Sequence, residues 1–211
     1  MAKKTLKPGT MLNPVPSVMV SCGEGENANI ITIGWTGIIN TEPPITYVSV
    51  RKSRHSHQLI SESGEYVINL TTQNLVKATD YCGVKSGRDV NKWEEMGLTP
   101  EPCEKVKCPL IKESPVNLEC KVIEVKEYPT HDMFIGEIVN VHADEKLFNE
   151  KGRLCLDEAG LIAYSHGEYF ALKREPLGKF GYSIMKAKAK KRYEKEKAQK
   201  RRDNYRKRKR G

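Results

Sequence analysis

"ITYVSVRKSRHSHQLISESGEYVINL", residues 45–70, changes its periodicity twice. Ile45 to Val50 alternates β-branched and aromatic residues with small ones, and Glu65 to Leu70 is similarly β-rich. Between them Leu59 and Ile60 supply one apolar face, and Gly64 stands where a helix C-terminus wants a left-handed residue. The pattern predicts strand, short helix, strand, with Ser53 as the helix N-cap. At the first junction Arg51, Lys52, Arg54, His55 and His57 crowd seven positions. A solvated surface loop is the plain explanation for such a run. Cations at a helix N-terminus, however, oppose the positive end of its dipole, whereas the unpaired N–H groups there favour an anion. A bound phosphate reconciles the two. Arg51 offers it a planar donor fork and Lys52 a point charge, with Ser53 capping and His57 in the second turn. Arg54 is expected to point to solvent.

Outward from this stretch the chain reads as short β-rich segments bounded by Gly, Pro and Asn. They are PSVMVSC (16–22), NIITIGW (29–35) and EYVINL (65–70), followed by two long alternating strands, 117–128 and 131–144, joined around Pro129. YFALKREPL (169–177) supplies a last strand and a loop, and Glu42-Pro43-Pro44 is a turn. Helical patterning is confined to LVKATDYCG (75–83) and a short piece of SGRDVNKWEEMGL (86–98), and the Pro-rich stretch to Pro115 reads as loop. Many strands and few helices predict a β-barrel or sandwich. NANIITIGWTG (27–37) adds Asn29, Thr32, Thr36 and Trp35 beside Gly34 and Gly37, whose missing side chains permit close approach of a flat ligand. A lone tryptophan is more often core than ligand contact. This one gains weight because ITIGWTG and SVRKS are expected to be neighbouring strands.

The 211 residues carry a formal charge of +9, but unevenly. Residues 186–210 hold 15 of the 36 Lys and Arg and only 3 of the 27 acidic residues, so residues 1–185 carry 21 against 24 and are mildly acidic, at −3. The division predicts a globular domain over 1–185 and a basic, helical or partly disordered tail over 186–211. In the tail, Glu194 and Glu196 are spaced to pair with Lys190, Lys191, Lys197 and Lys200. Such a tail suits RNA or another polyanion, while the domain itself does not read as nucleic-acid binding. Six cysteines form no CxxC and no metal-ligand cluster, and read as packed thiols. His142 with Asp144 and Glu145 is no metal site either, since neighbours on a strand face opposite ways. The basic start is broken by Pro14 and Pro16 and makes a poor signal peptide, and no apolar run reaches membrane-spanning length. A cytoplasmic setting is expected.

The order of these motifs resembles the flavin reductase-like, FMN-binding split-barrel family, and within it the flavoredoxin branch. The resemblance spans about residues 8–184. It rests on PVPSVMVSC, on NANIITIGWTGIINTEPPITYVSVRKSRHSHQLISESGEYVINL, and on SGRDVNKWEEMGL, SPVNLECKVIEV, HDMFIGEIVNVHAD and GEYFALKREPLGKFGYS. It implies a mainly β chain folded as a split β-barrel with a few short helices, paired as a homodimer with FMN near the subunit interface. It implies that Arg51, Lys52, Ser53 and His57 grip the phosphate. Asn29, Thr32, Gly34, Trp35, Thr36 and Gly37 would then meet the ring and ribityl chain. His131 is the candidate polar group near the flavin or a nicotinamide. Similar proteins often carry Asp where Asn91 stands. The implied activity is an FMN-dependent oxidoreductase passing electrons from NAD(P)H or a protein donor to flavin, ferric or protein acceptors. The alternatives are an FMN-bearing electron carrier without turnover of its own, or a polyanion-binding protein acting through the tail. No GxGxxG follows a strand, so NAD(P)H would be held without a dinucleotide-binding domain.

Overall fold

The computed structural model describes residues 2–173 and 176–208, and the chain divides after Leu172 into two compact units. The first unit begins with strands β1 (Val15–Pro16), β2 (Val18–Cys22), β3 (Asn29–Ile33), β4 (Thr36–Thr41) and β5 (Pro44–Arg51). Helix α1 (His55–Ser63) leads to β6 (Glu65–Leu70), and α2 (Val76–Val84) and α3 (Lys92–Met96) follow. The short pair β7 (Pro100–Glu101) and β8 (Leu110–Ile111) precedes the long hairpin β9 (Val116–Glu127) and β10 (His131–Ala143). A second hairpin, β11 (Ile162–Ser165) and β12 (Glu168–Ala171), closes the unit. In the second unit, α4 runs from Ala187 to Arg208. Its Glu196 pairs with Arg192 at 2.8 Å. The side chains of Lys197 and Lys200 lie outside the described residues. No described helix is long and apolar enough to cross a membrane.

Seven strands form one antiparallel sheet in the order β3-β2-β6-β9-β10-β5-β4. Its two edge strands are consecutive in the chain, joined only by Gly34 and Trp35. Three Cα–Cα steps span at most about 11 Å, so the sheet has to curl until its edges meet at that corner. β3 and β4 nevertheless share no ladder, and the barrel stays split. The resemblance is borne out: the chain is mainly β, with an open barrel and a few short helices. NIITIGW is not one strand, however. It breaks at Gly34, and the neighbour of β5 is β4, with Thr36 opposite Val48. The chain changes strand here because Trp35 donates no ladder of its own to β2; its carbonyl instead accepts the Ser49 N–H at 2.9 Å.

Alternation along β5 builds the core and the site together. Thr46, Val48 and Val50 are buried, while Ser49 and Arg51 face the other way. Val48 and Val50 join Val20, Tyr66, Ile68 and Phe134 inside the barrel, where Ile60 anchors α1. A second cluster, with Met19, Ile30, Cys82 and Trp93, seats α2 and α3 on β3. Gly64 ends α1 with φ of 66°, as the sequence indicates. The N-cap is Arg54, not Ser53, and no side chain caps it. Ser53 sits one residue too early, inside a turn closed by the Arg54 N–H on the Arg51 carbonyl at 2.9 Å.

At the base of the β9–β10 hairpin Glu119 is fully buried. It accepts backbone N–H bonds from Glu104, Lys105 and Val106, a bond from Asn140 at 2.9 Å, and one with His142 at 2.5 Å. Burial raises its pKa, but these donors outweigh burial and hold it at about 2. The folded pKa therefore lies below the unfolded one. The stabilisation is complete above about pH 4.5 and is lost as pH falls toward 2. Glu119→Gln keeps the shape and removes the charge. It should lower stability at pH 7 by about 1–3 kcal/mol and flatten the acid side of the stability–pH curve, as read by thermal melts from pH 7 to pH 2.5. A parallel shift of the whole curve would show that the charge is not what holds the loop.

Candidate functional site

Two hollows meet where β5 runs into α1. The smaller, about 320 Å³, is lined by Asn29, Arg51, Ser53, Arg54, His55, Ser56, Lys85, Ser86, Gly87 and Lys92, among others, and no carboxylate reaches it. Lys92 is the most telling of these. It is buried, and its ammonium donates to the carbonyls of Ile30 at 2.6 Å and Cys82 at 2.9 Å, with no ion pair among the described residues. Burial pushes its pKa down. His55 Nδ1 is also buried and has no hydrogen-bond partner. Burial, then Arg88 and Lys92, hold His55 below its ordinary pKa, so at neutral pH it is an uncharged imidazole. Buried cations and orphaned polar atoms are costly unless something pairs with them. The uncapped N-terminus of α1 opens onto the same space. Such a lining suits an anion.

The hollow is shaped by backbone as much as by charge. Asn29 donates to Ser56 Oγ at 2.9 Å, tying β3 to the first turn of α1. A Cβ on Gly87 would stand 2.2 Å from Asn29 Oδ1, so only glycine lets the α2–α3 loop close over the pocket. Asn91 caps α3, accepting the Trp93 N–H at 3.1 Å. Asp and Asn serve an N-cap equally, which accounts for the departure at this position.

The larger hollow is a cleft of about 800 Å³ that shares Ile31, Arg51 and Arg54 with the first. Ile31, Thr32, Ile33 and Gly34 of β3 and its corner line it, together with Trp35, His131, Tyr164 and Tyr169. Trp35 is 44% exposed and is not a core residue. Its ring lies 4.8 Å from the His131 ring, tilted by 40°. Burial and Arg51 hold His131 below its ordinary pKa, leaving a neutral imidazole in the cleft. The expected residues therefore divide. Asn29, Arg51 and Ser53 line the anion pocket, and Thr32, Gly34, Trp35, Arg51 and His131 line the cleft.

Four expected residues line neither hollow. Thr36 gives its hydroxyl to the Tyr47 carbonyl at 2.5 Å, and Gly37 backs onto the Tyr47 ring. His57 lies in the first turn of α1, not the second, and bonds Asp132 at 2.7 Å. Lys52 pairs with Asp132 at 3.1 Å and with Glu127 at 3.4 Å. Buried Asp132 is thus the latch that fastens the β5–α1 junction to β10. Burial raises its pKa, but His57 and Lys52 outweigh that and keep it below the usual carboxylate range. Arg54 is exposed, as expected, and also lines both hollows.

A family model described as flavin reductase like domain matches residues 11–173. The chain belongs to this family. Among solved structures it is similar to the flavoredoxin of Desulfovibrio vulgaris (Miyazaki F), with TM-score 0.80 and 32% identity, covering 87% of this chain and 100% of that one. It is also similar to the flavoredoxin of Methanosarcina acetivorans, with TM-score 0.77 and 29% identity over 88% and 100%. An uncharacterized protein of Archaeoglobus fulgidus is 37% identical over 134 residues, which is 63% of this chain and 75% of that one.

In this flavin reductase-like chain the sequence reading missed Lys92, His55, Lys85, Ser86 and Tyr169 as members of the two hollows. Lys92 had a signal: a lysine beside an apolar tryptophan in a short helix facing the core. The buried thiols offer no alternative chemistry, since burial raises Cys22 and Cys120 to about 12 and Cys82 to about 11.

Inorganic phosphate tests the anion pocket directly. It should raise the melting temperature of the protein by mass action. Arg54→Ala should weaken phosphate binding about tenfold or more, the loss of one charge-assisted hydrogen bond. Lys151→Ala, on an exposed turn that lines neither hollow, should leave it unchanged. An Arg54→Ala protein that responds to phosphate like its parent would refute the assignment.

Proposed function

We propose that this protein binds FMN, with the phosphate in the small pocket and the isoalloxazine in the cleft, and acts as an oxidoreductase through it. The observation that carries the reading is the juncture of the two hollows. A pocket with a buried, unpaired cation and no carboxylate opens, past Arg51 and Arg54, into an aromatic cleft large enough for a fused ring system. Arg51, Ser53, Arg54, Lys85, Ser86 and Lys92, with the first N–H groups of α1, would hold the phosphate. Asn29 positions that turn. Thr32, Gly34, Trp35 and His131 would border the ring. Lys52 and His57 act one step back, holding the junction through Asp132. The chemistry FMN would supply is hydride and single-electron transfer, for which the protein provides position and electrostatics. The family and the likeness to flavoredoxins support a redox role. Electrons would come from NAD(P)H or a protein donor.

Purified protein should be yellow, with about one FMN per chain, and NAD(P)H should bleach that colour without oxygen. Bound colour that NAD(P)H cannot bleach would favour a carrier fed by another protein. FMN should bind about a hundredfold or more tighter than riboflavin, because riboflavin leaves at least two charge-assisted donors unpaired at about 1.5–3 kcal/mol each. Arg51→Ala should lose FMN affinity and change riboflavin affinity little. Equal affinity for the two flavins in the parent protein would sink the phosphate placement.

We further propose a homodimer. Edge strand β4 carries Ile38 at 65% and Ile39 at 50% exposure, and Ile123 and Val125 on β9 are also exposed. An unprotected apolar edge of this kind calls for a cover. A second copy of the chain supplies one, close to the corner that carries Trp35. Light scattering at micromolar concentration should return twice 23.9 kDa, and a monomer with FMN bound would rule the dimer out.

A further inference from the structure

The β11–β12 hairpin turns through two residues, His166 and Gly167, between the paired Ser165 and Glu168. Both have positive φ, 52° and 95°. That is the backbone of a type I′ turn, whose first position is suited to Asn, Asp or Gly. His166 is the one described non-glycine residue with positive φ, and a β-carbon there carries a steric cost. An ordinary turn would be better served by asparagine. His166 is exposed to solvent and lines the aromatic cleft. Its backbone N–H reaches Asn13 Oδ1 at 3.4 Å, tying the turn to the N-terminal segment that forms the cleft's rim.

The cleft's charge is one-sided. Arg51 and Arg54 border it against a single carboxylate, Asp80, and His131 and His166 add ring N–H groups. Asp80 is already engaged, accepting a hydrogen bond from the Tyr169 hydroxyl at 3.3 Å. A ligand carboxylate entering the cleft therefore meets donors and no free anion. Trp35 and the Tyr164–Tyr169 pair, whose rings meet edge to face at 5.3 Å, offer flat apolar surface for the rest of such a ligand.

We propose that His166 is a specificity-determining residue, whose imidazole N–H selects conjugated small molecules that carry a carboxylate over neutral isosteres. The inference rests on the reading that the cleft holds a flavin together with its small-molecule redox partner. It adds the chemical class of that partner and the residue that recognises it. Arg51 and Arg54 line both hollows and would be taken up by the phosphate, which leaves the exposed His166 to meet a ligand entering from solvent.

Benzoate and benzamide, nearly identical in shape, are the probes. Each is titrated into the full-length protein with FMN, read by the visible flavin spectrum, and without FMN, read by quenching of tryptophan fluorescence. Benzoate should bind about tenfold tighter than benzamide, the effect of one charge-assisted hydrogen bond. His166→Asn suits the turn and removes only the imidazole. It should bring the ratio close to one while FMN content and melting temperature stay as in the parent. A parent that binds both probes equally, or neither, overturns the inference. So does a preference that survives His166→Asn, since it would belong to the arginines. A protein that takes up no FMN yet prefers benzoate through His166 would refute the flavin reading and the redox role of the partner, and leave only carboxylate selection by His166 standing. Bound FMN with no preference for benzoate would do the opposite.

Discussion

Two residues, Gly34 and Trp35, connect the opposite edges of a seven-stranded sheet. Everything in the first unit follows from that short join. A flat or gently twisted sheet of seven strands would hold its edges tens of ångströms apart, since neighbouring strands are about 4.8 Å apart. The chain leaves no choice but curvature, and curvature creates the interior that Val48, Val50, Tyr66, Ile68 and Phe134 fill. Because β3 and β4 meet at a corner rather than along a ladder, their backbone and side chains there are not consumed by pairing. The corner can carry Trp35 half out of the core, with its ring against His131 of β10. The same seam that keeps the barrel from closing is where the cleft lies.

The second constraint is electrostatic. At the β5–α1 junction the chain concentrates positive charge where a helix dipole is already positive, and the fold separates that charge into two groups. Lys52 pairs with buried Asp132 and His57 hydrogen-bonds it, so both hold the turn and are not available to the ligand. Arg51, Arg54, Lys85 and Lys92 receive no carboxylate among the described residues. Strand alternation explains the sorting. His131 lies opposite Arg51 and Asp132 opposite Val50, so one pair faces the cleft and the next faces the barrel end beside α1. A shift of one residue in that register would bury Arg51 and expel Asp132, removing latch and pocket together.

Much of this was legible in the sequence, and what was missed has physical reasons. Strand identity in 45–70, the helix ending at Gly64, the β9–β10 hairpin and the basic helix α4 follow from local periodicity and turn chemistry, which need only near neighbours. The break of NIITIGW at Gly34 was not legible, because it is set by the need to join two edges far apart in pairing order. Arg51, Trp35 and His131 could be picked out by residue type beside a strand end. Arg54, Lys92 and His55 belong to the same hollows only through the approach of α2 and α3, over 30 to 60 residues of chain. Asp132 was invisible for another reason. An acid beside a histidine in an alternating strand has no pattern of its own until Lys52 and His57 arrive.

The cost of these choices falls on the protein without its ligand. Lys92 keeps an ammonium out of water with two carbonyls for company, and His55 leaves a ring nitrogen unbonded. Arg54, as an N-cap with no side-chain acceptor, gives up the roughly 1 kcal/mol that Ser or Asp would contribute there. Each is unfavourable for folding alone, and each points into one small space. A packed interior does not tolerate several such defects by chance. On the proposed function, a bound phosphate would relieve all of them at once, and its binding would be strengthened by that relief. The hydrophobic closure of the barrel has to be strong enough to carry that deficit. The short join between the sheet's edges, by forcing the core shut, is what makes the pocket affordable.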